Sequence, residues 1–169
     1  MKRTIFILLM AVTTAHAGWK IYDGNSWRAS LPDILHRRVL TEKQMEGSMG
    51  AWHNTVFESE DKSVSLSVYT HPLDPENELQ TLHTFFEAEV TGRTDEKDVI
   101  NYTFIKDNWF VVSGTNFKGF EFYTKFWRYN DHSVTFNFAY PPSKRKVYEP
   151  MLLELLKNFT PSLLGGWDY

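Results

Sequence analysis

The segment YTFIKDNWFVVSGTNFKGFEFYTKFW, Tyr102 to Trp127, decides the fold class of this chain. Apolar side chains recur along it with a period of two, which is typical of β-strands. Asp107 and Asn108 interrupt the first apolar run, and both residue types tolerate the left-handed geometry of a tight turn. The sequence therefore predicts a hairpin here rather than a site of chemistry.

The strand that follows this turn has two apolar faces. Trp109 and Val111 share one face, and Phe110 and Val112 share the other. Because both faces are apolar, we expect this strand to be covered on both sides. Four consecutive antiparallel strands are predicted between Tyr102 and Tyr140.

Shorter runs with the same period extend the predicted sheet. Strands are expected at Ser26 to Leu31, Thr55 to Phe57, Val64 to Tyr69 and, after the Asn130-Asp131 turn, Val134 to Tyr140. The order is two or three strands, a helix, four strands and a second helix. A mostly antiparallel sheet flanked by helices, an α+β sandwich, is the predicted architecture.

The first helix is predicted from Asp74-Pro75, an N-cap residue followed by proline at the first helical position. Its apolar stripe is Leu79, Leu82, Phe86 and Val90, and Gly92 closes it.

The second helix is predicted after Pro141-Pro142, with Ser143 as its cap and Pro161 as its stop. Its apolar stripe consists of Tyr148, Leu152, Leu155, Leu156 and Phe159. Pro150 leaves two alternatives, a helix that starts near Glu149 or a helix that is kinked at the proline.

Two motifs carry a resemblance to a known group of proteins. They are Lys106, Asn108, Trp109, Phe110, Val111, Ser113 and Gly114 in the hairpin, and Tyr140, Pro141, Tyr148, Glu149 and Pro150 ahead of the last helix. With these motifs the chain resembles a group of uncharacterised secreted bacterial proteins with a PsbP-like fold. The resemblance implies a PsbP-like α/β/α sandwich and implies no catalytic residue.

The first 17 residues have the composition of a secretory signal peptide. Lys2 and Arg3 precede an apolar run that is too short to cross a bilayer, and Ala15-His16-Ala17 is a small-x-small cleavage site. We expect cleavage between Ala17 and Gly18, a periplasmic or secreted location, and a mature chain with no transmembrane span. The mature chain is predicted to be one domain, residues 18–169, with a flexible tail at 164–169 that contains the GGWDY end.

Composition excludes several functions. The chain contains no cysteine, so disulfides, thiolate nucleophiles and cysteine-ligated metals are ruled out. Without Lys2 and Arg3 the chain has 16 basic and 21 acidic residues, a formal charge of −5. An acidic chain is a poor partner for a phosphate backbone, so no nucleic-acid binding is expected. The basic run Lys144-Arg145-Lys146 is interpreted as a solvated helix start.

No constellation of catalytic or metal-binding residues emerges. The histidines of the mature chain, His36, His53, His71, His83 and His132, show no HxH or HxxxH spacing. His83 and Glu87 are spaced to share a helix face, which an ion pair explains as well as a ligand pair does. Gly47-Ser48-Met49-Gly50 lacks the spacing of a nucleophile elbow. Glu58, Glu60 and Asp61 are expected in a solvated turn with ordinary acidity.

These observations favour a non-catalytic binding or accessory module with no catalytic, cofactor-binding or metal site, whose partner is an envelope protein or a small ligand. The oligomeric state is not predicted. The alternative is an envelope hydrolase with an unrecognised site. A pocket lined by His53, His71 or His132 beside a carboxylate would favour the hydrolase, whereas a sheet fully covered by helices and loops would favour the binder.

Overall fold

The structure is a computed structural model that describes residues 18–24, 26–41, 53–77 and 79–161. The predicted signal peptide, the Gly47–Gly50 motif and the tail at 164–169 lie outside these residues. The described strands are β1 (Trp19–Gly24), β2 (Trp27–Pro32), β3 (His36–Arg38), β4 (His53–Glu58), β5 (Ser65–Pro72), β6 (Val99–Lys106), β7 (Trp109–Thr115), β8 (Glu121–Arg128), β9 (His132–Tyr140) and β10 (Thr160–Pro161). The helices are α1 (Leu82–Asp95) and α2 (Arg145–Asn158), and a 3₁₀ turn at Pro142–Lys144 precedes α2.

Seven strands form one antiparallel sheet in the order β3-β4-β5-β9-β8-β7-β6. The predicted four-strand meander forms its β9-to-β6 half. β5 joins the other side of β9, with Ser65 opposite Ala139 and Pro72 opposite His132. A second, smaller sheet has the order β1-β2-β10.

Each face of the large sheet has its own apolar cluster. Beneath α1 lie the buried side chains Phe110, Val112, Phe122 and Phe126, which pack against Leu82, Phe85, Phe86 and Val90. The other face packs against α2 and the small sheet, through a larger cluster that includes Trp27, Leu66, Phe136, Phe138, Leu155 and Phe159. The predicted α+β arrangement, an antiparallel sheet with helices on both faces, is confirmed.

The predicted hairpin is confirmed at the β6–β7 turn. Lys106 pairs with Trp109 across the two-residue turn, and Asp107 adopts a φ of 51°. Phe110, Val111 and Val112 are buried, as expected for a strand covered on both sides. Trp109 is only half-buried, and its ring lies 5.3 Å from that of Phe104 on the edge strand β6.

The first helix starts later than predicted. Asp74 accepts a hydrogen bond from the backbone N–H of Glu76 in a local turn instead of capping a helix. The N-cap is Thr81, which forms a reciprocal capping box with Thr84, and Leu79 stays outside the helix and is exposed. Asp74 and Thr81 both offer a capping side chain, but only a helix start at Thr81 aligns the apolar stripe of the helix with the sheet. The helix also continues past Gly92 to Asp95.

The second helix runs through Pro150 from Arg145, so a start near Glu149 is wrong. Ser143 lies in the preceding 3₁₀ turn and makes no capping hydrogen bond. Tyr148, Leu152 and Leu155 are buried as predicted.

Three strands were missed by the sequence pattern: β1, β3 and the two-residue β10. β1 exposes its larger side chains, with Trp19 and Ile21 both on the surface, so it has no buried alternating face to detect. β3 is three residues long and carries His36, Arg37 and Arg38, which are not typical strand residues.

Candidate functional site

A cleft opens between α1 and the sheet where β5, β9 and β8 lie side by side. Its volume is ≈ 510 Å³. It is lined by His71, Pro72, Leu73, Gln80, Phe85, Ala88, Glu89, Phe110, Thr124, Phe126, Ser133 and Thr135. We refer to it as the helix cleft.

One wall of the helix cleft is aromatic. The ring of Phe85 on α1 lies 5.0 Å from the ring of Phe126 on β8, and Phe126 in turn stacks on Phe110 at 4.9 Å. These rings belong to the buried cluster under α1, so the wall is a fixed part of the core.

Polar side chains lie beside these rings on the same face of the sheet. They are Thr124, Ser133 and Thr135, and Thr135 lies opposite Phe126 in the β8–β9 pairing. These side chains face α1 because the residues that alternate with them, such as Val134 and Phe136, fill the core on the other side of the sheet. The period-two pattern of β9 predicted a strand here, but not the cleft above it.

His71 adds an ionisable group to these polar side chains. It lies opposite Ser133 across the β5–β9 pair and is half-buried. Burial lowers its pKa below the ordinary histidine value, because a charged imidazole loses hydration there. The ring is therefore neutral at pH 7 and presents one donor and one acceptor nitrogen.

Glu89 brings the formal negative charge of the lining, and Arg93 neutralises it. The Arg93 Nε atom donates to the Glu89 Oε1 atom at 2.8 Å, and its Nη1 atom to the Asp98 Oδ2 atom at 3.2 Å. A third bond runs from Nη2 to the Thr124 hydroxyl at 3.1 Å, and the guanidinium lies 4.2 Å from the Phe122 ring centre. Burial alone would lower the pKa of Arg93, but Glu89 and Asp98 raise it above its usual value. This network attaches α1 to the sheet beside the cleft.

The rim of the helix cleft is the loop between β5 and α1. The backbone N–H of Leu73 donates to the carbonyl of Asp131 at 2.7 Å, and the Arg128 Nε atom donates to the carbonyl of Gln80 at 2.7 Å. The Asp74 N–H donates to the Gln80 Oε1 atom, also at 2.7 Å. The rim is thus tied to the β8–β9 turn at both ends.

The other predicted histidines lie elsewhere. His83 pairs with Glu87 at 3.1 Å on the exposed side of α1, as the spacing predicted. His132 is buried, with its Nδ1 atom 2.7 Å from the Asp131 Oδ1 atom, and its Nε2 atom has no hydrogen-bond partner in the structure. His36 is exposed on β3, and the side chain of His53 lies outside the described part of the chain. Sequence spacing did not identify His71 and Glu89 as neighbours, since they come from different elements.

The acidic turn at Glu58, Glu60 and Asp61 is less ordinary than predicted. Hydrogen bonds from Lys144, Ser59 and Ser63 lower the pKa of Asp61 well below its usual value. The expectation of ordinary acidity is wrong for Asp61, because its main partner comes from the start of the distant C-terminal helix.

The basic run at 144–146 is correspondingly not a purely solvated helix start. Lys144 pairs with Asp61. Arg145 binds Glu121 in a two-pronged contact, with its Nε atom 2.9 and 3.0 Å from the two carboxylate oxygens. This contact lowers the pKa of Glu121. The two cations therefore attach the 3₁₀ turn and α2 to the β4–β5 turn and to β8.

Metal-binding geometry does not occur in the described residues. Across 18–24, 26–41, 53–77 and 79–161, no three histidine or carboxylate side chains lie close enough to hold an ion. Over the same residues, no helix has the length and apolar content of a membrane span.

Neither a protein-family model nor a curated protein sequence matches the chain. Solved structures do match. The solution structure of cyanobacterial PsbP (CyanoP) from Synechocystis sp. PCC 6803 is similar over 88% of this chain and 95% of its own, with a TM-score of 0.63 at 11% identity. A crystal structure of a protein from Bacteroides thetaiotaomicron is similar over 91% of this chain and 51% of its own, with a TM-score of 0.50 at 10% identity. These likenesses confirm the architecture implied by the sequence motifs: the chain has a PsbP-like α+β fold.

Proposed function

We propose that this chain is an extracytoplasmic, non-catalytic binding module that holds a small uncharged ligand in the helix cleft. The observation that carries the proposal is the cleft itself, ≈ 510 Å³ in volume and lined by both aromatic rings and hydroxyl side chains. Concave sites of about 300–1,000 Å³ with mostly apolar walls and a few fixed polar groups are the usual form of small-molecule sites.

The electrostatics of the cleft define the ligand class. His71 is neutral at pH 7, and Glu89 is paired with Arg93 at 2.8 Å. A charged ligand would lose hydration on entry and find no free opposite charge among the lining residues. The ligand that fits is therefore uncharged, with an apolar ring or chain against Phe85 and Phe126 and with hydroxyl or amide groups against Thr124, Ser133 and Thr135.

The extracytoplasmic location is proposed from the first 17 residues. A cationic start, a short apolar run and Ala15-His16-Ala17 together support cleavage before Gly18. N-terminal sequencing of the protein from the periplasm or culture medium should give Gly18 as the first residue. A chain recovered with Met1 to Ala17 intact would refute this part of the proposal.

The binding test uses a variant that fills the cleft from the helix side. Ala88 lines the cleft on α1, and Ala88→Phe places a ring in the space that the ligand would occupy. Ligand-observed NMR against a library of small uncharged aromatic and polyhydroxyl compounds should give hits for the mature protein. Those hits should lose binding to Ala88→Phe.

Glu87→Phe is the matched control, because it adds the same ring one position away on an exposed side of α1. Binding should survive in this control. Hits that bind both variants equally, or a library without a single hit, would overturn the proposed site.

The hydrolase alternative has one observation in its favour. His71 and Glu89 line the same cleft as Ser133, which is the pocket expected for that alternative. Against it, Glu89 is held by Arg93, and within the described residues no hydrogen bond links His71 to Ser133, as activation of a serine nucleophile would require. Turnover of an ester, amide or glycoside panel that is lost in His71→Gln and kept in Glu87→Phe would replace the binding proposal with this one.

A further inference from the structure

The two edges of the large sheet are built differently. β3 at one edge is three residues long and carries Arg37 and Arg38, which is how natural sheets discourage strand addition. β6 at the other edge is eight residues long, contains no proline, and ends in Lys106, its one charged residue. Among the described strands β6 pairs only with β7.

β6 is also apolar on its exposed surface. Val99, Tyr102, Phe104 and Ile105 are 60%, 53%, 41% and 41% exposed. The face that carries Tyr102 and Phe104 continues into β7, where the ring of Phe104 lies 5.3 Å from that of Trp109. A long, apolar edge of this kind is a template for another strand.

The backbone groups that a new strand would use can be assigned. The carbonyl of Asn108 accepts from the N–H of Arg128 on β8 at 2.7 Å, so Trp109 directs its own backbone groups towards β6 and Lys106. Backbone direction alternates along a strand, so Phe104 and Tyr102 also bond to β7. Thr103 and Ile105 therefore point their N–H and carbonyl groups out of the sheet.

We propose that the free edge of β6 pairs with the β6 edge of a second copy of this chain, in an antiparallel two-fold dimer centred on Thr103. In this register Thr103 opposes itself, and Tyr102 opposes Phe104 of the other copy. The outward N–H and carbonyl groups of Thr103 meet those of Thr103 in the other copy, as an antiparallel ladder requires, and Ile105 lies opposite Asn101 of that copy.

The side chains of β6 are self-complementary in the same register. The Tyr102–Phe104 pair occurs twice and creates a cluster of four rings on one face, and cross-strand aromatic pairs stabilise sheets. Lys106 opposes Ile100, so no like charges face each other. The irregularity in β6 between Ile100 and Tyr102 lies outside the central three pairs. These features favour a second copy over an unrelated strand.

The test measures the oligomeric state of the mature protein, residues 18–169, by sedimentation equilibrium over a wide concentration range. The wild type should show a monomer–dimer equilibrium. Thr103→Pro removes an outward N–H that pairs with no other described strand of the same chain, and proline is tolerated on edge strands. Each dimer loses two ladder hydrogen bonds, so its dissociation constant should rise about tenfold to a hundredfold.

Ile105→Lys is a second edge variant, which keeps every backbone group and should also weaken the dimer. Val147→Lys is the matched control, since Val147 is 60% exposed on α2, away from β6. It should dimerise like the wild type. Circular dichroism confirms that each variant is folded.

Hydrogen exchange gives an independent measurement. The amides of Thr103 and Ile105 should become protected as the concentration rises, whereas the protection of Phe104 should stay constant. A wild type that remains monomeric at every concentration overturns the proposal. So does a dimer that persists unchanged in both edge variants.

Discussion

The strongest stability prediction concerns the Phe110 side chain under α1. Phe110 is 2% exposed, stacks on Phe126 at 4.9 Å and meets Phe86 edge-on at 5.5 Å. Truncating a fully buried phenylalanine costs about 3–5 kcal/mol, because apolar burial is lost and a cavity remains. Since a domain of this size has roughly 5–15 kcal/mol in total, Phe110→Ala should remove a large share of the stability.

Substitutions at the nearby residues Trp109 and Asp107 should lower the free energy of unfolding by less than Phe110→Ala does. Trp109 is half-buried against Phe104 and the Lys125 ammonium, which lies 4.3 Å from its ring centre, so Trp109→Ala should cost about 2 kcal/mol. Asp107 has a φ of 51°, so Asp107→Ala should cost about 1 kcal/mol and Asp107→Gly less than that.

Urea unfolding followed by far-ultraviolet circular dichroism gives these differences, provided that the slope of the transition is unchanged. Phe117→Ala is the matched control, because Phe117 is 62% exposed in the β7–β8 loop and its loss should cost no more than about 0.5 kcal/mol. The reasoning is refuted if Phe110→Ala unfolds within about 1 kcal/mol of the wild type. It is equally refuted if Trp109→Ala is the more destabilising change.

Three further predictions concern titration and metal removal. Burial raises the pKa of Tyr123 to about 12. The protein should therefore lose stability as the pH rises from about 10 through this value. Tyr123→Phe should reduce that loss in thermal unfolding measured at alkaline pH. Lys144 lowers the pKa of Asp61, so this pair stabilises the fold above the ordinary aspartate pKa of about 3.9. That stabilisation is lost as the pH falls. The difference in melting temperature between wild type and Asp61→Asn should therefore shrink in acid, and also in high salt. EDTA should leave the melting temperature unchanged, and a fall that zinc or calcium reverses would contradict this.

The sheet could be predicted because its information is local. Residues such as Phe120 to Trp127 alternate over a strand length, and Asp107-Asn108 marks a turn by residue type alone, so the meander followed directly. The helix boundaries were harder to predict from the sequence. Asp74-Pro75 and Thr81 both satisfy the local rules for a helix start, and only the fit of Leu82, Phe85 and Phe86 onto the sheet distinguishes them.

The helix cleft could not be predicted for a different reason. The cleft combines residues of three elements: His71 of β5, Glu89 of α1 and Thr135 of β9. The spacing of these residues along the chain does not indicate that the three elements lie together. The Asp61–Lys144 pair was missed in the same way, since its partners are joined only by tertiary structure. Composition gave the residue types, but packing decided which of them became neighbours.

The pairing of β5 with β9 also has a consequence for how the chain folds. Pro72 lies opposite His132 and Ser65 opposite Ala139, at sequence separations of 60 and 74 residues. Closing loops of that size costs chain entropy before the stabilising contacts between the two strands form. This pairing should therefore form late, after the local β6–β9 meander. During synthesis, the β4–β5 hairpin is made before β9, so β5 has no β9 partner until residues 132–140 have been synthesised. If the proposed signal peptide directs export before residues 132–140 are made, no completed large sheet has to be unfolded for translocation.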